Sequence, residues 1–119
     1  MLDTAVLTQI ESELIQAETA RLAGFEGRAR VSARRAAGVA IRAYWASCQV
    51  SMASASAFDL LQWMSQRSDT SPEVREVLEH LLARVNEQFQ LPMPVDLIAE
   101  TRWLVQTLNK DETHGNQLI

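Results

Sequence analysis

The chain has 119 residues, of which 47% are hydrophobic and 22% charged, and 11 basic against 15 acidic side chains give a net charge of −4. This length suits a single domain, and the composition excludes a wholly disordered chain. No run approaches the roughly 20 apolar residues of a membrane span, and a single cysteine excludes an intramolecular disulfide. The first residues show no secretory signal, so we expect a cytoplasmic protein without membrane association.

The first predicted element is an amphipathic helix. Its apolar residues recur at spacings of three and four, beginning near Asp3 or Thr4 and ending near Gly24. Glycine tolerates the left-handed backbone that commonly ends a helix, so Gly24 is expected to adopt it. Phe25, in the turn that follows, is expected to plug the core.

The second predicted helix runs from about Arg28 to about Cys48 and carries a stripe of mostly small residues. Small side chains let a neighbouring backbone approach closely, and Gly38 in this stretch predicts such a close helix crossing. The stripe comprises Ala29, Ala33, Ala36, Ala37, Ala40, Ile41 and Tyr44.

Two further helices begin at recognisable capping residues. Ser56 followed by Asp59 resembles a capping box and predicts a short third helix. Ser71 followed by Pro72 is a strong start for a fourth helix, which is expected to continue to about Glu87. The inward stripe of the third helix is predicted as Phe58, Leu61 and Met64, and that of the fourth as Val74, Leu78, Leu81 and Val85.

The prolines of residues 91–94 stop the fourth helix, and a last helix is predicted from about Val95 to Leu108. Residues 109–119 are predicted to form a flexible polar tail. No stretch alternates apolar and polar residues as a half-buried strand does. Residues 1–108 are therefore predicted to form one all-α domain, an antiparallel bundle of four to five helices.

Basic residues are concentrated in the second helix. Between Gly27 and Ala57 there is no acidic residue but five arginines, and the rest of the chain carries six bases against all 15 acids. Arg28, Arg35 and Arg42 are seven residues apart and lie nearly in one row. The row is either a solvated face paired with acids of the first helix, such as Glu11 and Glu18, or a contact for a nucleotide, RNA or acidic protein partner.

The whole chain resembles the HEPN family of small helical domains. The resemblance rests on the turn and alanine-rich helix of residues 26–42, on the short helix beginning Ser56-Ala57-Phe58-Asp59-Leu60-Leu61, and on the last helix after Leu91-Pro92. It covers roughly residues 5–108. It implies the family's helical bundle, and either a metal-independent ribonuclease or a subunit that works with a small nucleotidyltransferase.

In active HEPN proteins an arginine and a histidine four to six residues apart serve RNA cleavage, and the resemblance places these roles on Arg75 and His80. A histidine moves protons near neutral pH, and an arginine stabilises negative charge on phosphate. The residue after the arginine is commonly small and polar in that family, whereas Glu76 here would repel phosphate. Ordinary surface pairs between Arg75 and Glu79 and between Glu76 and His80 are the favoured explanation of both residues.

No glycine-rich phosphate loop, His-Glu-x-x-His or Cys-x-x-Cys motif is present, so the sequence predicts no metal site and no cofactor. The leading hypothesis is a non-catalytic interaction module, expected to form a homodimer through the small-residue second helix or through surfaces bearing Trp45, Trp63 or Trp103. The toxin-like ribonuclease and the nucleotide- or nucleic-acid-binding subunit are the alternatives.

Overall fold

The structure is a computed structural model, and it describes residues 2–52, 54–84, 91 and 93–111. Within these residues the secondary structure consists of five α-helices and no strand. They are α1 (Thr4–Leu22), α2 (Glu26–Ser47), α3 (Ala57–Ser65), α4 (Pro72–Leu82) and α5 (Leu97–Lys110). The prediction of an all-helical protein is therefore confirmed for the described residues. None of their helices has the length and apolarity that crossing a lipid bilayer requires.

The turn between α1 and α2 forms as its sequence predicts. Gly24 adopts a φ of +86°. The Phe25 amide donates to the Ala20 carbonyl (2.8 Å) and the Gly24 amide to the Arg21 carbonyl (3.0 Å). These two bonds satisfy carbonyls that the helix end would otherwise leave free, and they fold α2 back along α1.

Helix α2 is the centre of the core and packs against α1, α3 and α5. The small residues of its stripe are buried against other helices of the same chain, so a homodimer through the second helix would have to use a different face of α2. Gly38 marks a close approach between α2 and α3, because a Cβ built on it would lie 2.8 Å from the Ala57 Cβ at the start of α3. The fully buried alanines of α2 are Ala29, Ala33, Ala36, Ala37 and Ala40.

Capping serines start α3 and α4 as predicted. The Ser56 hydroxyl accepts from the Asp59 amide (3.1 Å), and the Ser71 hydroxyl accepts from the Val74 amide (3.3 Å). The inward stripe of α3 differs from the prediction, because Leu60, Leu61 and Met64 are buried whereas Phe58 is 51% exposed.

Helix α4 ends at Leu82, and the prediction that it continues through Ala83 and Arg84 is wrong. Ala83 is extended, and the Arg34 guanidinium of α2 donates to the Leu81 carbonyl at 2.6 Å and to the Ala83 carbonyl at 3.4 Å. A side chain from another helix thus satisfies carbonyls at this end. The predicted continuation from Val85 to Glu87 and the stop at Pro92 lie outside the described residues.

Helix α5 begins at an Asp96 cap, whose carboxylate accepts from the amides of Ile98 (3.1 Å) and Ala99 (3.2 Å). It runs two residues beyond the predicted end, so the domain boundary predicted after Leu108 falls inside it. The Asn109 side chain accepts a hydrogen bond from the Leu2 amide at 2.7 Å. Residues 112–119 lie outside the described part of the chain, where the flexible tail stays a prediction.

Contacts between α1 and α5 show that these two helices run in opposite directions. The start of α1 meets the end of α5 through Leu2 and Asn109, and Arg21 at the end of α1 donates to Asp96 at the start of α5 (2.9 Å). The radius of gyration is 13.8 Å, close to the value of about 13.5 Å expected for a compact chain of this length.

Candidate functional site

Arg75 supports the connection between α3 and α4. Its Nε donates to the Ser65 carbonyl at 3.1 Å, and its Nη2 donates to the carbonyls of Arg67 (2.8 Å) and Thr70 (3.0 Å). The side chain is half-buried. Its guanidinium holds the loop of residues 66–71 against the start of α4, in place of the surface pair with Glu79 that the sequence suggests.

His80 faces another element, the first turns of α5. Its Nδ1 lies 2.6 Å from Glu100 Oε1, and its Nε2 lies 3.8 Å from Glu76 Oε1. The side chain is only 17% exposed. The predicted pair with Glu76 is therefore present, but the closer partner is a carboxylate across the helix interface.

Arg75 and His80 do not converge within the chain. Arg75 turns toward the end of α3, and His80 turns toward α5. Both are engaged by the protein's own polar groups, and the groups closest to His80 are anionic. This arrangement supplies interhelical contacts and offers no shared site for a phosphate.

The three arginines of the predicted row have different environments. Arg42 is half-buried and donates to the Ala55 carbonyl (2.5 Å) and the Met52 carbonyl (3.5 Å), so it holds the segment that leads into α3. Arg28 is exposed, and its guanidinium carbon lies 4.7 Å from the centre of the Phe25 ring. Arg35 is exposed as well.

The acids of α1 do not neutralise this row. Arg102 of α5 donates to Glu11 (2.9 Å) and Glu18 (2.6 Å), and these hydrogen bonds raise the pKa of its guanidinium. Within the described ranges no carboxylate lies within 4.0 Å of the guanidinium of Arg28 or Arg35. The expected pairing of the row with Glu11 and Glu18 is therefore wrong, and neither exposed arginine has an ion-pair partner among the described carboxylates.

A groove of about 750 Å³ runs between α1 and the first half of α2, and we call it the α1–α2 groove. Ile15, Phe25 and Val31 line it and are 53%, 51% and 44% exposed. The expectation that Phe25 plugs the core is wrong: its ring lies at the groove, beneath Arg28. The remaining lining is mostly small or neutral and contains no acid: Gln16, Thr19, Ala20, Ala23, Gly27, Arg28, Ser32 and Arg35.

A second groove, of about 670 Å³, lies on the other side of α2, toward α3 and the end of α4. Val31 and Arg35 line both grooves, and Phe58 is the large exposed apolar residue of the second. Arg34 lies here, and burial together with the positive charge of Arg30 lowers the pKa of its guanidinium. The two grooves therefore form one apolar and basic surface around α2, which we call the α2 face.

The tryptophans divide between core and surface. Trp45 is buried, and its ring packs edge-to-face on Trp63 with centroids 5.0 Å apart. The Arg67 guanidinium lies 4.6 Å from the Trp45 ring centre and 5.0 Å from that of Trp63. Trp103 on α5 is 40% exposed. The first two tryptophans are thus used to seat α3 and its following loop.

Sequence reasoning located the arginines of the α2 face but missed its apolar residues. Two sequence features could have indicated that these residues are exposed. Phe25 lies in a turn between Gly24 and Gly27, and Leu60 and Leu61 already supply the buried side of the short helix that contains Phe58. Within the described residues, no group of three or more His, Cys, Asp or Glu side chains is placed to hold a metal ion.

Comparisons of this chain with protein-family models, with curated proteins and with solved structures give no match. The geometry and charge of the α2 face therefore carry the functional conclusion.

Proposed function

We propose that this chain is a non-catalytic helical module that binds another protein through the α2 face. One observation carries the proposal: four of the six exposed large hydrophobic residues in the described part of the chain line the two adjoining grooves. Contiguous exposed apolar surface on a folded domain is typical of an interaction site. These four residues are Ile15, Phe25, Val31 and Phe58.

The surroundings of Arg75 and His80 support the non-catalytic part of the proposal. A ribonuclease needs both side chains free to contact RNA, whereas Arg75 donates to three backbone carbonyls and His80 bonds Glu100. Freeing either residue would leave polar groups of the fold without partners. A HEPN-like antiparallel bundle is part of the same proposal, and the engaged state of Arg75 and His80 favours an interaction role for it over catalysis.

The exposed arginines Arg28 and Arg35 support the nucleotide- or RNA-binding alternative, but the apolar residues of the α2 face do not. Nucleobases bind proteins by stacking on flat, accessible side chains. Arg28 covers one face of the Phe25 ring, and Ile15 and Val31 offer no flat surface, which leaves Phe58 as the one open aromatic ring among the four. The apolar part of the α2 face suits aliphatic and aromatic side chains of a protein better than bases.

The expected homodimer stays a prediction, and it requires a surface other than the small-residue stripe. Of Trp45, Trp63 and Trp103, only Trp103 on α5 is exposed, so its surface is the candidate. Light scattering at micromolar protein tests it, and a mass near 13.3 kDa would contradict it.

Comparative cross-linking and affinity purification from the source cells test the proposed function. Val31→Asp places a charge at an apolar residue that lines both grooves, and Gln106→Asp places one on an exposed position of α5. We expect a protein recovered with the wild type and with Gln106→Asp to be lost with Val31→Asp. Circular dichroism checks that both variants are folded. Recovery of the same proteins with all three chains contradicts the proposal.

A further inference from the structure

The α1–α2 groove is long enough to receive one face of a helix. Its α1 side runs from Ile15 to Ala23, which is about 12 Å along the helix axis, or two turns. Its lining combines small residues such as Ala20 and Gly27 with the exposed apolar residues Ile15, Phe25 and Val31. Amphipathic helices bind such grooves with apolar residues at positions i, i+3 or i+4, and i+7.

The positive charges of the groove determine which charge a partner must carry. Arg28 and Arg35 stand seven residues apart on α2, about 10 Å along its axis. The lining contains no acid, and no described carboxylate pairs with either arginine. A partner with carboxylates about two turns apart meets both positive charges, whereas a basic partner is repelled.

A second copy of this chain fits the groove poorly. A two-fold arrangement on this face would bring Arg28 and Arg35 of each copy toward those of the other. The insertion of a different surface, such as the one around Trp103, would be a head-to-tail contact, which builds rings or open filaments rather than a two-fold dimer.

We propose that the α1–α2 groove binds the apolar face of an acidic amphipathic helix of a partner protein, with two carboxylates about two turns apart facing Arg28 and Arg35. The inference rests on the proposed function and adds the chemistry of the partner. The apolar anchors give the affinity, and the two carboxylates set the register and the direction of the helix.

A selection from displayed peptides tests the proposal directly. A library of helix-forming peptides of about 16 residues is selected on the wild-type protein and counter-selected on Val31→Asp. We expect the enriched peptides to carry apolar residues at helical spacing and two acidic residues about seven positions apart. Enrichment of basic or non-helical peptides overturns the acidic-helix inference but leaves the proposed function standing. The absence of any enrichment over Val31→Asp also overturns the inference.

Charge reversal then tests the arginines. The double variant Arg28→Glu with Arg35→Glu is expected to bind a selected peptide with at least tenfold lower affinity. A peptide whose two acidic residues are changed to lysine is expected to recover binding to that variant. Lys110→Glu, an exposed charge change at the end of α5, is the matched control and is expected to leave affinity unchanged. Equal binding to all three proteins overturns the assignment of the carboxylates.

Single-stranded RNA is the competing ligand in the same assay. If RNA binds, and the loss of Arg28 and Arg35 abolishes its binding while Val31→Asp has no effect, the face is a nucleic-acid site and the inference fails. RNA binding that is absent, or equal in all variants, agrees with a protein partner.

Discussion

His80 Nδ1 and Glu100 Oε1 lie 2.6 Å apart and join α4 to α5 across a largely buried contact. A histidine on a freely solvated helix face contributes little to stability, but one that hydrogen-bonds a carboxylate of another helix contributes more. We expect His80→Ala to lower the free energy of unfolding by about 1–2 kcal/mol, as measured by urea denaturation.

Glu79→Ala is the matched control, because Glu79 is an exposed neighbour on the same helix. Its effect should stay within about 0.5 kcal/mol. Equal effects of the two substitutions would show that the contact with Glu100 adds nothing to stability.

The second prediction concerns catalysis. The purified protein should show no metal-independent cleavage of single-stranded RNA, because Arg75 and His80 face different elements and are both engaged. The His80→Gln variant should give the same RNA cleavage signal as the wild type, equal to that of a reaction without protein. Robust cleavage by the wild type that is lost in His80→Gln, with the fold intact by circular dichroism, would establish the ribonuclease instead.

Arg75 should matter for stability. Arg75→Ala removes the donors of three carbonyls in the α3–α4 connection and should cost about 1–3 kcal/mol. Arg75→Lys should recover little of this, because an ammonium lacks the planar fork that reaches several acceptors at once. Thermal denaturation measures both variants. Arg35→Ala, at an exposed position, should be close to neutral, and a similar loss there would contradict the structural role of Arg75.

Substitution of Gly38 by a residue with a side chain should destabilise the protein. A Cβ at this position would meet the Ala57 Cβ at 2.8 Å and the Ala57 Cα at 3.0 Å. We therefore expect Gly38→Ala to lower the melting temperature despite the better helix propensity of alanine, and Gly38→Leu to destabilise by about 1–3 kcal/mol or more.

Gly27→Ala is the control for that experiment, because Gly27 also lies in α2 but has nothing within 4 Å of its Cβ direction. Its melting temperature should be unchanged or raised. A rise for Gly38→Ala as well would mean that α3 yields easily at this crossing.

Asp96 should make the free energy of unfolding depend on pH in the acidic range. Burial favours its neutral form, but hydrogen bonds from Arg21 and the Ala99 amide outweigh it and hold the pKa of the Asp96 carboxyl below its usual value. The stabilisation is then present above about pH 4 and is lost as the pH falls through the lower folded-state pKa. Asp96→Asn keeps a helix-capping side chain but removes the charge. It should cost roughly 0.2–1 kcal/mol at pH 7 and progressively less as the pH falls through the folded-state pKa of Asp96.

A double-mutant cycle with Arg21→Gln assigns this effect to the ion pair. The coupling between the two substitutions, measured by urea denaturation, should vanish as the pH is lowered. A coupling that persists at pH 2 would point to a contact that does not need the carboxylate charge.

Local sequence signals predicted the starts of the helices and the α1–α2 turn, because the interactions that form them lie within a few residues. Ser56, Ser71 and Gly24 each act on backbone groups in their own turn of helix. The end of α4 was not predictable in this way. It depends on Arg34, which is 47 residues before Leu81 in the chain.

The candidate site was only half predictable for a related reason. The arginines of α2 stand out as a segment without acids, but their availability depends on Arg102, which pairs with Glu11 and Glu18 from 91 and 84 residues away. Hydrophobicity alone placed Phe25 and Phe58 in the core. Which apolar residues are left outside depends on how much room the packed helices leave, and that is a property of the assembled bundle.

The pairing of α1 with α5 has a consequence for synthesis on the ribosome. Leu2, Glu11 and Arg21 meet partners that are 107, 91 and 75 residues later in the chain. Contacts this distant in sequence form only after nearly the whole chain has emerged. A nascent chain that ends before Leu97 leaves the apolar surface that α5 covers open to solvent or to chaperones, so premature termination there should produce an aggregation-prone fragment rather than a smaller working module.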